Sequence, residues 1–260
     1  MGSAVPRLFV RDALATGAVV TLTAAAARHV QVLRLQPGGA VILFDGSDGA
    51  DWPGEIVRIG RREVEVRVGV AQPVERELGV AVTLAIGVPA NDRMDALVEK
   101  AGELGAAAIQ PLTCERSVMR LSGERAAARR VHWQGVAAAA SEQCGRARVT
   151  EILAPAPLAG WLDESTHAGR ARRLVLSIAA SALGPERALF CEPDSGTLHE
   201  PVVVLSGPEG GLTPAEEAAA AARGFIPVGL GPRVLRADTA PLAFLAWLGV
   251  RLQARAETSP

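Results

Sequence analysis

Leu205-Ser206-Gly207-Pro208-Glu209-Gly210-Gly211-Leu212-Thr213-Pro214-Ala215-Glu216 decides the fold. It follows Val202-Val203-Val204, so an uncharged β-branched run passes into three glycines and then into a helix start: Thr213 as N-cap, Pro214 at the first helical position and Glu216 completing a capping box. A short strand without charge reads as central and buried on both faces, which is the condition of a parallel sheet. The glycine loop then lies at the carboxyl end of a parallel strand, where open α/β sheets bind ligands. No Gly-Lys-Ser/Thr follows, and the GxGxxG spacing is absent, so it is neither a P-loop nor a dinucleotide fingerprint. A tight turn that needs positive φ is the alternative reading of the same glycines.

Working outward, residues 80–88 form a continuous apolar strand, 91–105 a helix, 106–112 a strand, 122–143 a long helix, 174–178 a strand, and 226–230 a strand expected beside 202–205. This alternation predicts a mostly parallel sheet with helices on both faces. Before residue 70 the rhythm differs. Glu63-Val64-Glu65-Val66-Arg67-Val68-Gly69-Val70 alternates with a period of two, as a half-buried antiparallel strand does. Turn signals at Pro37-Gly38-Gly39, Asp45-Gly46 and Gly60-Arg61-Arg62 divide the remainder into hairpin lengths, with one helix over residues 23–30. The prediction is a small β-barrel over residues 1–72, a linker over 71–77, and an α/β domain over 78–256.

Composition excludes several classes. The chain has 260 residues with 49% hydrophobic and 21% charged positions, as globular proteins do. Formal net charge is −1, so it is not a general polycation, although Lys100 is the only lysine among 27 basic residues and the rest are arginine. Cys114, Cys144 and Cys191 show no CxxC spacing, which argues for reduced thiols and no metal site. The start Met1-Gly2-Ser3-Ala4-Val5-Pro6-Arg7 has no apolar h-region, and the late apolar run 241–250 is about half of the roughly 20 residues a membrane span needs. A cytoplasmic location without membrane association is the expectation. With no tyrosine and nine Phe plus Trp, an aromatic RNA-stacking sheet is not expected.

A second loop has the same layout as the first: Leu230-Gly231-Pro232-Arg233-Val234-Leu235-Arg236-Ala237-Asp238-Thr239-Ala240 is again a strand end, a loop and a helix start. Asp238 there is either a helix cap, favoured by the N-terminal dipole, or a reacting carboxylate.

Together the two loops resemble the paired C-terminal motifs of the SPOUT methyltransferases. More closely, Glu99-Lys100-Ala101-Gly102-Glu103-Leu104-Gly105, Cys114-Glu115-Arg116-Ser117, Ala139-Ala140-Ser141-Glu142-Gln143-Cys144-Gly145-Arg146 and Val32-Leu33-Arg34-Leu35 with Asp45-Gly46 resemble the RsmE family. The likeness runs from about residue 6 to 252. It implies a SPOUT α/β trefoil-knot domain preceded by a PUA-like barrel, S-adenosylmethionine as cofactor, and methylation of a uridine N3 near the 3′ end of 16S ribosomal RNA, in free rRNA or in the assembled small subunit. Ribose 2′-O methylation and a non-catalytic ribosome-assembly role are the alternatives. The chain departs from the family in having Asp238 where glutamate is usual and Ala90-Asn91 where Lys-Gly is common.

The resemblance also assigns roles. Leu205, Gly207, Gly210, Gly211, Leu230, Gly231, Leu235, Thr239 and Ala240 would hold the cofactor. Arg236 would stabilise the uridinate, and Asp238 or Glu209 would accept the N3 proton, with a structural loop contact as the alternative for Glu209. Independently of the resemblance, residues 1–44 carry Arg7, Arg11, Arg28 and Arg34 against only Asp12, with His29 alongside, a local basic excess that would form a face for phosphates; the resemblance adds Arg116, Gln143 and Arg146 on the substrate side. For His29 an ordinary surface histidine remains the other reading. Trp133 and Trp247 are expected in the core or at a subunit contact. The helix over 239–252 is apolar almost all round, and SPOUT proteins cover such a helix by forming a homodimer.

Overall fold

The structure, a computed structural model, describes residues 5–61, 63–90, 93–164, 170–190, 198 and 200–256. Cys191, and Asn91 where the sequence places a helix start, lie outside them. The chain divides into two compact units, one of residues 1–77 with 138–149, the other of residues 78–137 with 150–260.

In the N-terminal unit, β1 (Arg7–Phe9), β2 (Val19–Thr21), β3 (Ala40–Phe44), β4 (Ala50–Ile59) and β5 (Val64–Val68) form a sheet in the order β1-β3-β4-β5-β2. The alternating valines behave as expected, since Val64, Val66 and Val68 are buried against Leu8, Val30, Val41 and Ile56. Helix α1 (Ala24–Val32) is capped by the Thr23 hydroxyl, which accepts from the Ala26 N–H. Two features depart from the reading by hairpins. β1 pairs parallel to β3, and the expected linker contains β6 (Gln72–Pro73), which pairs with Ala50 and Asp51 of β4.

The C-terminal unit holds β7 (Val82–Gly87), α2 (Arg93–Glu103), β8 (Ala108–Thr113), most of α3 (Gly123–Cys144), β9 (Glu151–Ile152), β10 (Ala156–Pro157), α4 (Leu158–Asp163), β11 (Arg172–Leu176), α5 (Pro185–Leu189), β12 (Val202–Ser206), α6 (Pro214–Ala222), β13 (Ile226–Val228) and α7 (Thr239–Ala256). The sheet order is β10-β8-β7-β12-β11-β13, with β9 also on β8, and every pairing is parallel. β12 is central, as its composition predicts, and Val202, Val204 and Leu205 are fully buried. Its neighbours are β7 and β11, however. The strand expected beside it, β13, pairs with β11 instead.

Because all strands run the same way, their carboxyl ends share one edge, and the loops leaving β7, β8, β11, β12 and β13 gather there. The sequence diverges at β7, the first strand in chain order, which has β8 on one side and β12 on the other. Such a switch point leaves a crevice at the strand ends. None of the described helices is long and apolar enough to cross a membrane.

Candidate active site

The capping box of α6 is formed as its sequence dictates. The Thr213 hydroxyl accepts from the Glu216 N–H, and the Glu216 carboxylate accepts from the Thr213 N–H at 2.8 Å. The same carboxylate also accepts the Glu115 N–H at 2.8 Å, so the loop after β8 is tied to the start of α6. Arg116 of that loop donates to the carbonyl oxygens of Gly210 and Leu212 at 3.0 and 3.3 Å. On the opposite flank, Glu209 accepts from the Ala90 N–H at 2.9 Å and from Arg93 at 3.3 Å. The glycine loop is thus braced by the two loops that precede it in the sheet. Beneath it a Cβ on Gly87 would stand 2.6 Å from Pro208 and 3.0 Å from the Cys114 sulfur, so a side chain at Gly87 would drive these loops apart.

Between the loop after β12, the end of β11 and the loop after β13 lies a cavity of about 590 Å³. That volume suits a cofactor-sized ligand. Seven of the nine expected cofactor residues line it: Gly207, Gly210, Gly211, Leu230, Gly231, Leu235 and Ala240. Gly231 has φ +100°, a backbone that side chains strain to adopt, and a Cβ there would meet open space. The other two do not line it. Leu205 is fully buried in the core beneath the loop, because the strand's alternation turns it into the sheet. Thr239 faces a second groove of about 420 Å³ between α2 and α7, lined also by Lys100, Glu103, Leu242 and Asp238.

Of the expected reacting groups, Arg236 and Glu209 line the cavity and Asp238 lines that other groove, with its Oδ1 buried and accepting no hydrogen bond from the described residues. Arg93, Leu176, Ser177, Ile178, Glu217, Val228, Arg233 and Val234 also line the cavity and were not singled out in the sequence. The carboxyl end of β11 carries no glycine motif that would have marked it. Charge alone could have pointed to Arg233, three residues before Arg236 in the same loop.

The arginines expected to face RNA divide into two groups. Arg28, His29 and Arg34 are exposed, and Gln143 is exposed as well. Arg7 is not free: its guanidinium lies 2.6 Å from Asp51, donates to the Arg146 carbonyl oxygen at 3.1 Å and packs over the Phe44 ring. Arg146 is only 3% exposed and is paired with Glu77 at 2.5 Å. Arg116 is engaged with the glycine loop. These three guanidiniums are held by internal acceptors, which a count of charges along the chain does not reveal.

Trp133 is buried at 1% exposure and its indole N–H donates to Asp95, while Trp247 packs on Phe244 and Phe190. Among the described residues no group of His, Cys, Asp and Glu is placed to hold a metal ion.

Residues 76–249 match the family model described as an RNA methyltransferase domain, and residues 22–69 match the RNA methyltransferase PUA domain. The ribosomal RNA small subunit methyltransferase E of a Synechocystis strain is 32% identical over 95% of this chain and 78% of its own length. The Neisseria gonorrhoeae ribosomal RNA small subunit methyltransferase E, solved bound to S-adenosyl methionine, is 34% identical with a TM-score of 0.83 over 94% of this chain and 97% of that one. A putative methyltransferase from Legionella pneumophila, solved with the same cofactor, is 30% identical with a TM-score of 0.84, covering 95% and 98%. With a family model over most of its length and full-length relatives at this identity, the chain belongs to the ribosomal RNA small subunit methyltransferase E family.

Proposed function

We propose that this chain uses S-adenosylmethionine to methylate N3 of a uridine near the 3′ end of 16S rRNA in the cytoplasm, as a homodimer. The observation that carries this reading is the cavity at the strand ends, where both glycine loops meet. The cavity fits the cofactor in size and chemistry: glycines 207, 210, 211 and 231 let backbone groups approach closely, Leu230 and Leu235 give apolar walls, and Glu209 and Glu217 supply negative charge toward a sulfonium. The cofactor supplies an electrophilic methyl group.

The protein's task is then placement and charge. Holding the base in a near-attack geometry is worth roughly 7–11 kcal/mol of barrier. N3 must lose its proton, and Glu209 is the expected reacting carboxylate that lines the cavity. Its Oε1 is held by the Ala90 N–H and Arg93, which keeps the side chain aimed. Arg236, exposed at the cavity, stabilises the negative charge that develops on the uracil oxygens. In the N-terminal unit Arg28, His29 and Arg34 hold RNA phosphates, which orient the substrate without reading its sequence.

The groove beside α7 supports the homodimer, since Leu242, Ala243 and Ala246 present an apolar strip there. Calorimetric titration with S-adenosylmethionine, together with mapping of methylated uridines in rRNA from a deletion strain, tests the assignment. An rRNA that keeps its N3-methyluridine in the deletion strain refutes the proposed target.

A further inference from the structure

Two of the most exposed large apolar side chains stand at the cavity: Ile178 and Val234 are 79% and 78% exposed, and both line it. Beside them Arg233 and Arg236 are exposed, and neither guanidinium makes a hydrogen bond or ion pair with a described residue. Arg93 also lines the cavity and, among the described residues, pairs with Glu209 at 3.3 Å. Elsewhere in the chain, arginines such as Arg58, Arg146, Arg223 and Arg251 are matched to carboxylates. Uncommitted cations and uncovered aliphatic groups therefore coincide at one concave rim.

This pairing has a chemical complement. Guanidinium forks suit phosphodiester oxygens, and an apolar side chain offers a surface to a base face, which is available only where the strand is unpaired. A protein partner is the poorer match, because covering guanidiniums that lack a counter-charge desolvates them without repayment.

We propose that this rim is the landing site for the unpaired RNA segment that carries the target nucleotide. Arg233 takes a backbone phosphate, and Val234 with Ile178 takes the face of a neighbouring base. The proposal rests on the methyl-transfer reading and deepens it: the C-terminal unit itself grips the strand next to the cavity.

The test uses the full chain, unmethylated small ribosomal subunits as probe, and the variants Arg233→Ala, Arg233→Lys and Val234→Ser. Arg233→Ala is expected to raise the Kd for subunits by about tenfold and to lower the slope of log K against log salt by about 0.7, the share of one phosphate on a single strand. Arg233→Lys should restore the slope but only part of the affinity, because the charge returns without the planar fork. Val234→Ser should raise Kd while leaving the slope unchanged. Sedimentation should stay at wild-type values in all three, and the changes in Kd should persist at saturating S-adenosylmethionine. An unchanged Kd and slope in Arg233→Ala overturns the proposal, as does a loss that saturating S-adenosylmethionine abolishes or that appears in the oligomeric state. If the wild-type chain neither binds nor methylates subunits, the methyl-transfer reading itself falls. A wild type that methylates normally while Arg233→Ala is silent removes only the rim.

Discussion

Arg116 and Gly210 are locked together across two loops: the guanidinium donates to the glycine's carbonyl oxygen at 3.0 Å, and a Cβ on Gly210 would lie 3.0 Å from the arginine's own Cβ. The close approach that makes the hydrogen bond possible is therefore the one that a side chain at 210 would forbid.

Replacing Gly210 with valine should push Arg116 off the loop and weaken cofactor binding at least tenfold, with the fold retained. Gly231→Val acts differently, since its space is open but its φ of +100° is strained for a β-branched residue. That strain costs on the order of 1–2 kcal/mol of stability and reshapes the loop. Calorimetric titration alongside thermal unfolding separates the two, and a folded Gly210→Val protein with wild-type affinity would remove this loop from the cofactor site.

The roles of Glu209 and Asp238 are separable by pH. Glu209→Gln keeps an acceptor for the Ala90 N–H but cannot take a proton, so single-turnover methyl transfer should fall steeply at neutral pH and recover at alkaline pH, where the uridine ionises unaided. Asp238→Asn should keep the wild-type profile, because Asp238 lines the groove between α2 and α7 and not the cavity. The reverse pattern would reinstate Asp238 as the proton acceptor.

Arg34 and Arg7, both basic positions of the N-terminal unit, should behave oppositely. Arg34→Ala removes an exposed cation and should weaken rRNA binding and flatten its salt dependence, without loss of stability. Arg7→Ala strips a partner from Asp51, whose side chain is 7% exposed, and should cost about 2–3 kcal/mol in the stability of the N-terminal unit. Denaturant unfolding and filter binding across a salt series read out both, and a fully stable Arg7→Ala protein with impaired RNA binding would return Arg7 to the surface role.

Cys114 gives a pH signature. Burial, aided by the charge of Glu216 and opposed by a hydrogen bond with Ser117, pushes its thiol up to about 12 from an ordinary 9. A folded value above the unfolded one means that the contribution to stability is complete below about pH 9 and is lost as pH climbs from 9 toward 12. The folded protein should resist iodoacetamide at Cys114 at pH 8, and its unfolding midpoint should fall above pH 9. Rapid alkylation of native Cys114 at pH 8 would contradict this burial.

What was legible in the sequence was local. Val202 to Leu205 announces a buried strand because no charge interrupts it, and Thr213 with Glu216 announces a helix start because the two side chains satisfy each other's backbone. The seating of β13 beside β11 was not legible, since a parallel crossover is fixed by hydrogen bonds between distant segments and leaves no mark in either strand. Gln72–Pro73 escaped notice as a strand because two exposed residues are too few to carry a periodicity. The arginines show the same limit from the side of function. Arg7, Arg116 and Arg146 carry the same formal charge as Arg34, and only the fold reveals which of them already face a carboxylate or a carbonyl.

Residues 138–149 close the first unit although the chain leaves that unit at residue 77. Within this segment Glu142 accepts the Phe9 N–H, Val149 donates to the Gly46 carbonyl oxygen, and Arg146 meets Glu77. On the ribosome the first stretch of that unit therefore emerges unfinished, and about 70 further residues must follow before it can close, a wait of several seconds at 5–20 residues per second. Neither unit is a transplantable cassette: a gene cut at residue 77 would yield a barrel lacking its own last stretch, so the two units are bound to be inherited together.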